Sequence, residues 1–178
     1  MPLKEADLRF IMKTAREAIT RFVADSRDIE FPKDFPEALK EKRGVFVTLT
    51  KNGNLRGCVG FPYSLEPIIR AVVTASCLAC EDQRFPPVRK EELDYIKIEV
   101  SILSEPRKIS DFEDITTDDG LIIKHEGSTG LLLPQVWKEI PSKTEFLECL
   151  CRKAGLSPGE WKDGSCELYR FSAESVEE

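Results

Sequence analysis

A mixed fold of helices and antiparallel hairpins is what this 178-residue sequence predicts, and three observations carry the prediction. From about Lys4 to Val23, the residues Leu8, Ile11, Ala15, Ala18 and Phe22 fall on one helical stripe. Val45-Phe46-Val47-Thr48-Leu49-Thr50 and Leu55-Arg56-Gly57-Cys58-Val59-Gly60 flank Asn52-Gly53, the dipeptide that best tolerates the positive φ angles of a type I′ turn. Ile96-Lys97-Ile98-Glu99-Val100-Ser101-Ile102 alternates apolar and polar residues, as a half-buried strand does.

The elements follow in order. After the first helix, Pro32 and Pro36 mark a loop, with a helical turn at Glu37–Lys42. The Asn52-Gly53 hairpin comes next. Ser64 is placed to cap the following helix, and Pro67 fits its first turn. That helix, Ile68 to about Glu81-Asp82, is apolar on most sides and reads as central to the core. Gln83-Arg84-Phe85-Pro86-Pro87 is a stiff extended segment, the alternating strand at 96–102 follows, and Pro106 ends it. Leu121–Glu126 and Leu131–Leu133 flank Gly127-Ser128-Thr129-Gly130 as a second hairpin. Ser142-Lys143-Thr144-Glu145 is a capping box for a helix through Ala154, which Gly155 stops. Cys166–Phe171 alternates as a last strand, and the acidic tail 172–178 is expected to fray. Two rounds of hairpin plus helix hint at a duplication, although the sequence carries no clear repeat.

Composition bounds the function. The net charge of −6 lacks the basic footprint that nucleic-acid binding requires. No apolar run reaches membrane-spanning length and no apolar signal core opens the chain, so a cytoplasmic protein without membrane contact is expected. Six cysteines are then expected as reduced thiols. Cys77 and Cys80 form a C-x-x-C inside an apolar helical run, where a spacing of three is one helix face, and Cys149 with Cys151 do not share a face. No metal site and no cofactor is expected. Phosphate-loop, dinucleotide, nucleophile-elbow and zinc-protease fingerprints are absent.

The stretch Leu55–Gly60 is the most informative. With a two-residue turn at Asn52-Gly53, simple alternation pairs Val47 with Cys58 and Leu49 with Arg56, and sends Arg56 and Cys58 to one face. Gly57 and Gly60 would leave that face open to a ligand. A guanidinium beside a thiol favours the thiolate, so Cys58 reads as a nucleophile with Arg56 as thiolate or anion partner. The alternative is a cysteine that merely packs.

Gly44–Leu49, Leu55–Gly60, Arg84-Phe85-Pro86-Pro87-Val88, Ile98–Ser101, Gly130–Val136, Phe146-Leu147 and Lys153–Leu156, in this order, resemble the AMMECR family over roughly Ala6 to Phe171. The resemblance implies a single domain over 1–178, the alternative being two closely packed subdomains. It implies an α+β fold of two similar β-rich repeats with helices, around a barrel-like, largely antiparallel sheet and a cleft. It implies no settled reaction. It points to Memo-type and radical-SAM proteins as partners. Val59 replaces the usual isoleucine, Gln83 replaces a common proline, and Ser128-Thr129 occupy a turn that is often basic in relatives.

The site expected from these readings has Cys58, Glu99 and His125 as catalytic residues, His125 being the single histidine. Arg56, Gly57, Gly60, Asp82, Arg84 and Gln135 are its ligand-binding residues. Arg84 suits a bidentate grip on a carboxylate or phosphate, or else a structural ion pair. Glu99 is a general base or a solvated strand residue, and His125 a base or a surface strand histidine. Two functions follow: a small-molecule-binding or catalytic cleft at the Leu55–Gly60 motif, or a non-enzymatic module or scaffold that docks a protein partner. RNA binding is a weaker third, which the negative charge disfavours.

Overall fold

The computed structural model describes residues 2–24 and 28–178. Its helices and strands are, in chain order, α1 (Glu5–Ala24), β1 (Val45–Lys51), β2 (Asn54–Phe61), α2 (Ile68–Ala79), β3 (Ile96–Leu103), β4 (Arg107–Lys108), β5 (Gly120–His125), β6 (Ser128–Leu132), α3 (Lys143–Lys153), β7 (Glu167–Phe171) and β8 (Ala173–Glu177). Short 3₁₀ turns lie at Glu37–Lys40, Lys90–Tyr95 and Pro134–Lys138, among others. The fold is α+β with two four-stranded sheets. Two compact units divide the chain: Met1–Leu103 with Glu174–Glu178, and Ser104–Ala173.

In the first unit the sheet order is β2-β1-β3-β8, and β1 pairs antiparallel with both β2 and β3. One face of this sheet carries Val45, Val47, Leu49, Ile98, Val100 and Ile102, all essentially inaccessible to water. Ile11, Ala15 and Phe22 of the expected α1 stripe, together with Ile19, and the apolar α2 join them in one core, while Leu8 and Ala18 of the stripe pack against it only partly buried. Burial of each Val, Leu, Ile or Phe side chain among them stabilises the fold by about 1.5–3 kcal/mol before entropy is counted.

The second unit repeats the plan. Its sheet, read from the β6 edge, runs β6-β5-β7-β4: a hairpin, then the strand that follows the next helix, then a fourth strand. Leu121, Ile123, Leu132, Phe146, Leu147, Leu150 and Leu168 form its core. Trp137 stacks on Phe146 with ring centroids 3.8 Å apart and donates its indole N–H to the Asp119 carbonyl at 2.8 Å.

Four sequence expectations need correction. Neither sheet closes into a barrel among the described residues; each is open, with β2 and β8, or β6 and β4, at its edges. The tail does not fray, because Ala173–Glu177 add the edge strand β8 beside β3. Ser64 does not cap α2: Pro67 holds the N-cap position, and the Ser64 hydroxyl instead accepts the Glu66 N–H in a local turn. The second hairpin turns on two residues, Glu126 (φ 45°) and Gly127 (φ 87°), so Ser128, Thr129 and Gly130 belong to β6.

Candidate functional site

The site is built from the β1–β2 hairpin. Asn52 (φ 52°) and Gly53 (φ 76°) make the expected two-residue turn. Lys51 pairs with Asn54 and Thr50 with Leu55, and there the register slips: Leu49 faces Gly57, Thr48 faces Cys58 and Val47 faces Val59. Arg56 is the extra residue of a β-bulge. The expected pairing of Val47 with Cys58 and Leu49 with Arg56 is therefore displaced by one residue. In the second unit β5 and β6 pair without a slip, from His125–Ser128 through Ile123–Gly130 to Leu121–Leu132.

The bulge separates Arg56 from Cys58. Arg56 donates from Nε and Nη2 to the two oxygens of Glu92, each at 3.0 Å. Lys51 Nζ reaches the same carboxylate at 2.9 Å, and the Arg89 backbone N–H donates to it at 3.0 Å. The Arg56 and Glu92 side chains are only 13% and 15% exposed. Hydrogen bonds from Arg56 first, then from Lys51 and the Arg89 amide, hold the Glu92 carboxyl down at about 2. Beside this knot lies an open groove of about 930 Å³, walled by Lys51, Arg56, Arg89, Phe85 and Tyr95. Cys58 does not line it.

Cys58 instead sits in a cross-strand row with Thr48, which faces it from β1, and Glu99, which faces Thr48 from β3. The Thr48 hydroxyl donates to the Cys58 sulfur at 3.3 Å. Ser101 Oγ lies 3.5 Å from a Glu99 oxygen. The row thus holds a thiol, a hydroxyl and a carboxylate on adjacent strands.

Asp82 and Arg84 close the free edge of β2. Asp82 accepts the Cys58 backbone N–H at 2.9 Å, and Arg84 Nη2 reaches the Cys58 carbonyl at 3.4 Å. Arg84 also grips Asp82, with Nε at 3.0 Å and Nη2 at 2.6 Å. The pair supplies the hydrogen bonds that a neighbouring strand would otherwise make. Arg84's hydrogen bonds, with those from the Cys58 and Arg84 amides, hold the Asp82 carboxyl well below the usual carboxylate range. The bidentate grip expected of Arg84 is filled by a residue of the chain itself.

The two glycines do not open a ligand space. A Cβ on Gly57 would lie 2.1 Å from the Ala79 carbonyl oxygen, because the end of α2 packs directly on the strand. A Cβ on Gly60 would lie 2.4 Å from the Phe46 ring. His125 and Gln135 belong to the second unit. The His125 ring Nδ1 lies 3.2 Å from the Ser165 carbonyl, and Gln135 is in the 3₁₀ turn Pro134–Lys138. Of the expected residues, then, Cys58, Glu99, Asp82 and Arg84 gather in or beside one row, while Arg56 faces a groove. Sequence reasoning missed Thr48, Lys51, Arg89, Glu92 and Tyr95. Thr48 needed the bulge to be known, and the others needed the fold of the 90–95 turn.

Among the described residues no cluster of His, Cys, Asp or Glu offers three ligands to a metal, and no helix is long and apolar enough to cross a membrane.

Comparison with known proteins follows the same lines. The sequence model of the AMMECR1 family matches residues 12–176. A protein from Methanothermobacter thermautotrophicus is 41% identical over 186 aligned positions, covering 99% of this chain and 97% of the relative. One from Thermococcus gammatolerans is 44% identical, covering 95% and 89%. The crystal structure of an uncharacterised protein from Pyrococcus horikoshii superposes with a TM-score of 0.93 at 40% identity, covering 99% of this chain and 93% of that one.

Proposed function

We propose that this chain, which belongs to the AMMECR1 family, binds a small molecule in the groove beside β2, with Arg56 as its principal contact. The bulge at Arg56 carries this reading. The second unit builds the same hairpin on the same plan with no extra residue, so the hairpin does not need the bulge in order to form. A bulge re-aims one side chain, and here the re-aimed side chain is Arg56, one of the two arginines of the groove wall.

Deleting Arg56 tests the reading. Deletion restores straight pairing, with Gly57 still opposite Leu49 and the Asn52-Gly53 turn intact. The full chain and the deletion variant are each incubated with a cell extract and analysed by native mass spectrometry. A small-molecule mass retained by the intact chain and lost from the folded variant supports the proposal. Retention by both, or by neither, overturns it.

The row Cys58–Thr48–Glu99 supports a second reading, a cysteine-dependent reaction on the sheet face. Here Cys58 is the nucleophile and Thr48 positions its sulfur through the 3.3 Å hydrogen bond. Glu99, two strands from Cys58, is the base only by relay, the Thr48 hydroxyl taking the thiol proton as it passes its own to the Glu99 carboxylate. A covalent mass on Cys58 from the same incubation, absent in Cys58→Ser, favours this reading. If neither a ligand nor an adduct is retained, the protein-docking role is left as the better account.

A further inference from the structure

Resting on the groove as a ligand site, we infer that its ligand is an organic oxyanion, a carboxylate or phosphate monoester, attached to a flat apolar ring. Charge gives the first half. The groove is walled by three cations, Lys51, Arg56 and Arg89, against two carboxylates, Glu91 and Glu92. Glu92 is turned inward and saturated by Arg56, Lys51 and the Arg89 amide, so it is not a free acceptor for a cationic ligand. Glu91 is exposed and solvated. Arg56 and Lys51 keep further N–H donors beyond those that Glu92 takes. Arg89 makes no ion pair among the described residues and is an exposed residue. The local balance is thus positive in a chain whose net charge is −6. Excess donors around an already satisfied carboxylate suit a second oxyanion, and arginine suits it in bidentate form.

The rings give the second half. Tyr95 is 63% exposed and faces the groove together with Phe85 and Pro86. An exposed aromatic ring beside cations stacks on a flat apolar group. A bare inorganic anion would leave these faces unused, and a neutral ring would leave the cations unused.

The test titrates the full-length protein, followed by amide NMR, with phenyl phosphate, benzoate, inorganic phosphate, benzyl alcohol and benzamidine. Phenyl phosphate or benzoate is expected to shift the Lys51, Arg56, Arg89 and Tyr95 amides to saturation. Inorganic phosphate and benzyl alcohol should bind about tenfold more weakly or worse, since each lacks half of the recognition. Arg89→Gln and Tyr95→Ala, both at exposed positions, should each weaken phenyl phosphate or benzoate by about tenfold while spectral dispersion is unchanged. Benzamidine or inorganic phosphate binding in the groove as tightly as the aromatic anions overturns the ligand class but leaves the groove a binding site. No response in the groove to any probe overturns the inference; the extract experiment then decides the groove reading separately.

Discussion

Gly57 of β2 and Gly130 of β6 hold the same place in their two units: each lies beneath the last turn of the helix that follows its hairpin. A Cβ on Gly57 would meet the Ala79 carbonyl at 2.1 Å, and one on Gly130 would meet the Leu150 carbonyl at 2.7 Å. Both contacts are with backbone, which yields only if the helix moves.

Gly57→Ala should therefore destabilise the first unit by about 2 kcal/mol or more, through overpacking against α2. Gly130→Ala should cost less, because its clash is milder. Chemical denaturation of the two variants, with amide exchange to locate the weakened unit, checks the order. Equal stability of Gly57→Ala and the parent chain would show that α2 is not seated on β2.

Glu92 gives a pH dependence of known sign. Its folded-state carboxyl lies at about 2, against an ordinary value of 4.5. A lowered carboxyl contributes stability that is fully present above about pH 5 and is lost as pH falls through 4.5 toward 2. Glu92→Gln should cost about 2 kcal/mol near neutral pH, and the gap between it and the parent should close by about pH 2. Thermal unfolding across that range measures the gap; a gap independent of pH would contradict the ion-pair knot.

Thiol labelling separates the cysteines by burial. Cys58, Cys149 and Cys166 are partly exposed, whereas Cys77, Cys80 and Cys151 are buried. Burial, with Glu81 adding to it, pushes the Cys77 thiol up to about 11. Iodoacetamide at neutral pH should mark only the first group in the folded protein, because the thiolate is the reacting form and it must be reached. Arg56→Ala should leave the Cys58 rate unchanged, since Arg56 is turned to Glu92. A slower Cys58 in that variant would restore the shared Arg56–Cys58 site that the sequence alone implies.

Asp82→Ala removes the acceptor of the Cys58 amide at a sheet edge. We expect a loss of about 1–3 kcal/mol and faster hydrogen exchange at Cys58 than at its β1 partner Thr48. Protection at Cys58 equal to that of the parent chain would mean that Asp82 does not close the edge.

Much of the fold was legible because it is locally encoded. Asn52-Gly53 makes a two-residue turn because those residues tolerate positive φ wherever they stand. Ile11, Ala15 and Phe22 of the α1 stripe and Ile96, Ile98, Val100 and Ile102 of β3 are buried as helix and strand periods require, whereas Leu8 and Ala18 are only half-buried and Ser101, expected on the polar face of β3, is buried beside Ser175 of β8. Of the expected capping box the Ser142 half forms, its Oγ accepting the Glu145 N–H. The tertiary structure decided the rest. The bulge at Arg56 is stabilised by Glu92, 36 residues away in sequence, and no periodicity within β2 announces it. That single extra residue moved Cys58 from Val47 to Thr48 and parted it from Arg56. Gly57 looked like open space because a missing side chain is all a sequence can display, whereas α2 fills that space with its own backbone. Side-chain partners brought together over long loops depend on the packing of whole elements, and the sequence by itself carries only the residues that are available to meet.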